Sequence, residues 1–419
     1  MGRRLKVLLL GEHDSKLAGH IQYDYLNMPP DVDAWMVTLI GEKEKTKHNI
    51  YRELKSPILS RIQRALSQIF RWVYCIFHLG CFPVLDRRHR EHAFYDFEFY
   101  PYSAKQILRK CPEGFVPDII SIHWHQGFLN SRLIKDLHER TGAKVLFNFV
   151  DEAHFTGGCH YPVECENYLS NCENCPALRF GKKLASAQLA NKRDNLSGLP
   201  LIIYGTPYDI KLAEKTTIFK DAKKLYSVQA PFVKQIARSE ARKKLNIGDD
   251  KFVVFVGASS IGEVRKGIKY SIEALEKAGK QIDNLLVLVA GRATMNIKVP
   301  NMLNLGFVDF EKLMCCFSAS DCFLSTTIAD SGPMMVNYSI SLGTPVVSFA
   351  VGIADDLVVH KKTGYLAKYK DSDDVAEGIK YFAKLSDDER LEVFENCKKI
   401  IEQKVMPSWI KQLLAYEHQ

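Results

Sequence analysis

The sequence has no apolar run of the roughly 20 residues that a bilayer-spanning helix needs. Met1 to Lys6 leads directly into the short apolar stretch Val7 to Leu10, with no small-residue cleavage site behind it, so no secretory leader is expected. Gly-, Ser- or charge-rich low complexity is missing and no segment repeats, which excludes repeat arrays and domains strung on long linkers. The eleven cysteines are an odd number in a long chain without an export signal. That argues against a disulfide framework and for a cytoplasmic location.

The 419 residues suffice for two domains of ordinary size, and 46% hydrophobic with 25% charged residues is the make-up of a folded globular chain. Net charge is +8. Residues 43–90 hold eleven Lys or Arg against three Asp or Glu, an excess equal to the whole surplus, which points to one local anionic partner. Within that segment Ile58, Ile62, Ala65, Leu66, Ile69, Val73, Ile76 and Phe77 recur at helical spacing over 57–79. Arg61, Arg64 and Gln68 line the same helix, and Trp72 and Tyr74 add interfacial aromatics. A basic amphipathic helix of this kind suits the anionic inner face of the plasma membrane; a helix packed on the first domain with solvated arginines is the other reading.

Apolar runs alternate with helical patterns along most of the chain. Lys6–Leu10, Ala34–Leu39, Lys144–Val150, Leu201–Tyr204 and Lys224–Val228 read as strands, and so does the stretch from Pro117 to His125. After a polar run from Ser239 to Asp250 that reads as linker, Lys251–Val256, Leu285–Ala290, Leu303–Phe307, Asp321–Thr326 and Val346–Phe349 repeat the pattern. This predicts doubly wound parallel sheets, whose ligands bind beyond the carboxyl ends of the strands. His13 and Gly19 fall on that rim in the first sheet.

The most informative stretch runs from Ala329 to Phe349. Asp330 and Ser331 are cap-type residues, Gly332 and Pro333 lead into a helix over Met334–Leu342, and Gly343 with Pro345 stops it. A Gly-bearing loop delivering a strand onto a helix start is an anion seat. The carboxylate of Asp330 beside it suits a hydroxyl-rich group attached to the anion, as in a sugar diphosphate. Upstream, Gly257 opens a second Gly-bearing loop that ends in Arg265, Lys266 and Gly267 at a helix start, paired cations that suit a diphosphate. A separate block carries Cys159, Cys165, Cys172 and Cys175. Cys172 and Cys175 have metal-ligand spacing, and two more thiols complete a tetrahedral structural zinc site; a disulfide-prone pair or four reduced thiols are the alternatives. Glu164, Glu166 and Glu173 surround this block, which argues against nucleic acid as a partner.

The Asp330 segment resembles the signature of GT-B glycosyltransferases of retaining family 4, an acidic residue and a Glu eight positions on, then a small-residue helix and Gly-Thr-Pro-Val-Val. Asp330 matches the first acid, which in the family holds the donor sugar. Tyr338 stands where the second acid grips the ribose. Lys266 matches the family's phosphate-binding Lys, and Arg265 stands in for an Arg expected near Ser260. The stretch ending in His123 and Trp124 resembles a family-4 strand end, which places His123 on the acceptor rim. Val150 and Asp151 stand where many relatives have His-Asp. The run from Thr156 to Tyr161 with its trailing cysteines resembles the subgroup that builds bacterial exopolysaccharides of the colanic-acid type.

The resemblance implies an α/β GT-B fold, two doubly wound Rossmann-like domains facing a central cleft. Residues 1–228 form the acceptor-side domain, 229–400 the nucleotide-sugar domain, and 401–419 a helix crossing back to the first. It implies transfer of a hexose from a UDP- or GDP-sugar, with retention, to a glycan or lipid-linked acceptor. Asp330, Lys266 and Arg265 are the catalytic residues, Gly332, Pro333, Met334, Met335 and Tyr338 bind the donor, and His13, Gly19 and His123 are acceptor-side candidates. Protein cations neutralise the leaving diphosphate, so no catalytic metal is required. The departures at Tyr338, Val150 and Ser260 also fit a degenerate transferase serving as a scaffold in a polysaccharide assembly complex.

Overall fold

The structure, a computed structural model, describes residues 3–13, 21–40, 51–53, 69, 73, 75–77, 80, 83–94, 96–98, 102–123, 125–228, 233–258, 262–292, 298–299, 301–332 and 334–417. Gly19, Pro333 and Ser260 lie outside them, as does most of 57–79.

Unbroken apolar runs make strands that are buried on both faces. Among the described residues the first unit, Met1–Gly205 with Asp209–Tyr226 and Pro407–Gln419, holds nine strands: β1 (Leu5–His13), β2 (Val32–Ile40), β3 (Tyr51–Glu53), β4 (Val84–Leu85), β5 (Ile119–Ile122), β6 (Lys144–Asn148), β7 (Leu178–Phe180), β8 (Leu201–Gly205) and β9 (Lys223–Tyr226). Seven form one sheet in the order β3-β2-β1-β5-β6-β8-β9 with every neighbouring pair parallel, while β4 and β7 make a separate antiparallel ribbon. The chain order reverses between β1 and β5, the switch point of this sheet.

The second unit, Thr206–Tyr208 with Ser227–Met406, contains β10 (Phe252–Gly257), β11 (Leu285–Ala290), β12 (Met302–Asn304), β13 (Cys322–Ser325), β14 (Val346–Phe349) and β15 (Gly364–Ala367). They pair in parallel in the order β12-β11-β10-β13-β14-β15, so here the switch point lies between β10 and β13. Two doubly wound parallel sheets are what the alternating pattern predicts.

One stretch is corrected. The polar run read as linker is a helix over Arg238–Leu245. Ala241 and Leu245 face the core four residues apart, and the Arg242 guanidinium is buried among the carbonyls of Ala319, Gly248, Asp249 and Lys251 and the carboxylate of Asp321. A run rich in charge looks solvated when the partner that satisfies its one buried cation lies far along the chain.

After Met406 the chain returns to the first unit as the helix Trp409–Glu417. Trp409 is fully buried and its indole N–H donates to Asp24 Oδ2 at 2.7 Å, while Gln412 Nε2 donates to the Tyr226 carbonyl at 2.8 Å.

Candidate active site

The site is built at the switch point of the second sheet. β10 ends at Gly257, and its outgoing loop closes in a 3-10 turn over Val264–Lys266 before the helix Ile268–Ala278. Gly267 joins turn to helix with φ +62°, and a Cβ there would stand 1.9 Å from the Thr326 carbonyl oxygen, so only glycine fits. Thr326, just past β13, donates its hydroxyl to the Gly267 carbonyl at 2.9 Å. The Ile328 N–H donates to the Arg265 carbonyl at 2.8 Å. The loops leaving β10 and β13 are therefore bonded to each other, and this brings two cations to one acid.

Asp330 Oδ2 accepts from Arg265 Nη1 at 2.6 Å and from Lys266 Nζ at 2.5 Å. Arg265 Nε also holds Glu263 Oε2 at 2.8 Å. The Asp330 side chain keeps only 12% of its exposure. Burial alone would raise its pKa, but the charges and hydrogen bonds of Lys266 and Arg265 outweigh that and hold the carboxyl below its ordinary value. A third loop completes the setting. Gly352, past β14, has φ +57°, and a Cβ there would meet the Asp330 carbonyl oxygen at 2.4 Å.

The helix Met334–Ser341 starts four residues after Asp330, and the N–H groups of its first turn have no partner within the helix. Met334 and Met335 lie half-buried in that turn, and Gly332 is half-buried just before it. Among the described residues Ser331 Oγ and Asn337 Oδ1 are buried without a hydrogen-bond partner, a cost that a bound polar ligand would remove. Tyr338 is half-buried one turn further in, its ring edge-on to Phe310 at 5.6 Å, and burial pushes its phenol pKa up. Two cations, one carboxylate and an open helix start can receive an anion that carries hydroxyl groups.

The acceptor-side candidates of the first unit do not gather in the same way. His13 is the last residue of β1, paired in register with Ile40. His123 ends β5 fully buried, its Nε2 3.2 Å from Ser121 Oγ and its Nδ1 3.1 Å from Asn148 Nδ2. A different set stands past β6. Lys192, on the helix Lys183–Leu196, places Nζ 2.7 Å from Asp96 Oδ2, 2.6 Å from the Ala153 carbonyl and 3.1 Å from the Thr156 carbonyl. His125 Nε2 lies 3.3 Å from Asp96 Oδ1, the His125 and His154 rings sit 4.3 Å apart, and His160 Nδ1 lies 2.6 Å from Asp151 Oδ2. Sequence reasoning missed Lys192, Asp96 and His125 because nothing local marks a lysine in a helix as buried. The four cysteines named above all line one small cavity on this loop.

Residues 237–403 match the family model for glycosyl transferases group 1. The whole of this match lies within the second unit. The match begins at the helix once read as linker and ends in the helix Asp387–Lys404, so it takes in Arg265, Lys266 and Asp330. An uncharacterized glycosyltransferase of Methanocaldococcus jannaschii is 25% identical over 233 residues, 52% of this chain and 53% of its own, so the chain matches about half the length of that curated relative. Among solved structures, sucrose-phosphate synthase from Thermosynechococcus elongatus aligns with a TM-score of 0.64 at 13% identity, over 99% of this chain and 98% of its own. Anabaena HepE, solved with UDP and glucose, aligns with a TM-score of 0.61 at 13% identity over 99% of both chains. The chain thus shares the GT-B fold of these structures, with its two Rossmann-like parallel sheets.

Proposed function

We propose that the protein is a retaining glycosyltransferase that moves a hexose from a UDP- or GDP-sugar to a lipid-linked glycan in bacterial surface polysaccharide synthesis. The observation that carries this reading is the convergence of Arg265 and Lys266 on Asp330 at the strand switch point, next to an open helix start. The diphosphate takes over the two cations and the helix N–H groups, which neutralise the charge of the departing nucleotide. Asp330, released from them, accepts hydrogen bonds from the donor sugar and fixes its anomeric carbon for attack. Ser331 and Asn337 supply polar atoms for the same ligand. A neighbour solved with UDP and glucose supports the donor class. Tyr338 offers one hydroxyl where the family has a carboxylate, so the ribose is held by fewer bonds.

A second observation supports an acceptor at an anionic membrane. Ile69, Val73, Ile76 and Phe77 occupy helical positions on one face and are all exposed, Phe77 by 78%, while Cys75 is buried. Val84, Leu85 and Phe180 of the β4–β7 ribbon are exposed as well, with Arg179 over the Phe180 ring. Apolar side chains beside the most basic segment of the chain suit the headgroup boundary of an anionic bilayer. No helix among the described residues is long and apolar enough to cross it.

Incubating the full chain with UDP- and GDP-hexoses, with EDTA present, tests the first part. Release of UDP or GDP from one of them, with the product's anomeric configuration retained by NMR, is expected; no turnover of any donor would favour the scaffold reading. Co-sedimentation with phosphatidylglycerol vesicles but not with phosphatidylcholine vesicles is expected for the second part, and equal recovery from both contradicts it.

A further inference from the structure

The 29-residue connection from Phe149 to Ala177 runs between β6 and β7 with no strand or α-helix of its own, only 3-10 turns at Ala153–Phe155 and Asn167–Leu169. Loops of that length are ordinarily solvated. This one is buried along nearly its whole first half. It also contains three non-glycine residues with left-handed backbone, Val163 at φ +56°, Cys172 at +53° and Asn174 at +55°. Each costs on the order of 1–2 kcal/mol, and a β-branched residue there is unusual. Something beyond ordinary packing holds the loop in this shape.

Its four cysteines converge. Cys159, Cys165, Cys172 and Cys175 line one enclosed cavity of about 10 Å³, the room for a single atom-sized occupant, together with His92 and Tyr168. All four are free thiols, and three are buried. Their sulfurs already receive donors. The N–H of Asn167 points at Cys165, that of Gly157 at Cys172, and those of Ala177 and Leu178 at Cys175, while the Thr156 hydroxyl donates to the Cys159 carbonyl. Donation from the residues two and three beyond a cysteine favours its thiolate, because an N–H bonds an anionic sulfur far better than a neutral one.

We propose that Cys159, Cys165, Cys172 and Cys175 hold one zinc ion as four thiolates, a structural site that fixes the loop leaving β6. The left-handed Cys172 and Asn174 are the turn that lets two sulfurs three residues apart face one ion. Among the described residues no three of these sulfurs stand within 4.8 Å of one another, so the ion draws them in. Zinc–sulfur bonds of about 2.3 Å place tetrahedral sulfurs about 3.8 Å apart. A change of χ1 moves a cysteine sulfur by about 3 Å, so side-chain rotation is the means by which the sulfurs close on the ion. The trio whose ligand atoms do lie within that distance, His89, Glu91 and His92, is flanked by Arg87, Arg88 and Arg90, which repel a cation. Pinning the loop also fixes Ala153 and Thr156, whose carbonyls hold Lys192.

Metal analysis of the full chain, purified without chelator, tests this. About one zinc per chain is expected, released by a thiol-specific mercurial. The cobalt-substituted protein is expected to show thiolate-to-cobalt charge-transfer absorption and tetrahedral d–d bands. Cys165→Ser alters the most accessible sulfur; it is expected to lose most of the zinc, while Cys315→Ser in the second unit keeps it. If Cys165→Ser does not fold, the wild-type metal content and cobalt spectrum still decide. A cooperatively folded chain without zinc, a cobalt spectrum with nitrogen and oxygen ligands only, or a disulfide among these cysteines in the native mass would each overturn the proposal.

Discussion

Asp330→Asn is expected to lower kcat for sugar transfer about 10²–10³-fold while tightening the binding of free UDP or GDP about tenfold. The two effects have opposite signs for one reason. Asp330 holds both cations proposed for the diphosphate, with Arg265 Nη1 at 2.6 Å and Lys266 Nζ at 2.5 Å. An entering diphosphate must displace it. Asparagine keeps the shape and removes the negative charge, so the cations meet the phosphates unopposed and the affinity rises. The same change removes the acceptor that fixes the donor sugar, so the anomeric carbon is no longer aligned when the leaving group departs. Calorimetric titration with the nucleotide and steady-state rates on the best donor check the pair. A residue that merely held the loop together would weaken both, and parallel losses would count against the assignment.

Lys192→Met is expected to destabilise the first unit by about 3–5 kcal/mol at neutral pH. The substitution preserves most of the volume and leaves Asp96 buried without its lysine partner, with only His125 beside it. In the native protein burial pushes the Asp96 carboxyl up, yet Lys192 and His125 pull it well below the usual range. An acid whose folded pKa is depressed contributes stability above its unfolded pKa near 4 and loses it as pH falls, so the wild-type chain weakens on acidification. In Lys192→Met the sign reverses. Asp96 becomes an uncompensated buried acid with a raised pKa, and protonation relieves it. The deficit against wild type is therefore largest near pH 7 and shrinks towards pH 4. Urea melts at both pH values measure this. A deficit independent of pH would mean that Lys192 acts through packing alone.

The fold was legible because its strands are unbroken apolar runs. Leu285–Ala290 and Val346–Phe349 were read with the bounds they have. Short strands such as Tyr51–Glu53, and the ribbon of Val84–Leu85 with Leu178–Phe180, carry too few residues to show a period. At the site, Arg265, Lys266 and Asp330 were each readable from local context, but their bonding to one another was not. The two cations lie 64 and 65 residues from Asp330, and the Gly267–Thr326 and Arg265–Ile328 contacts bring them together. Local context assigns the cations to phosphate and the acid to sugar; the structure bonds all three to one another. His123 shows the opposite limit. A histidine at a strand end looks like a rim residue, yet its ring turns inward to Ser121 and Asn148, which sequence spacing alone does not reveal. Asp96 and Lys192 were invisible for want of any local signal, being separated by 96 residues.

The central claim is that Arg265 and Lys266 seat a diphosphate. Calorimetric titration of UDP and GDP into the wild-type chain and Lys266→Ala, at one fixed ionic strength, tests it most directly. Saturable binding of one nucleotide to the wild type, weakened about tenfold or more in Lys266→Ala, is the predicted result. Equal affinity in the two proteins, or no heat from either nucleotide at millimolar concentration, would contradict it.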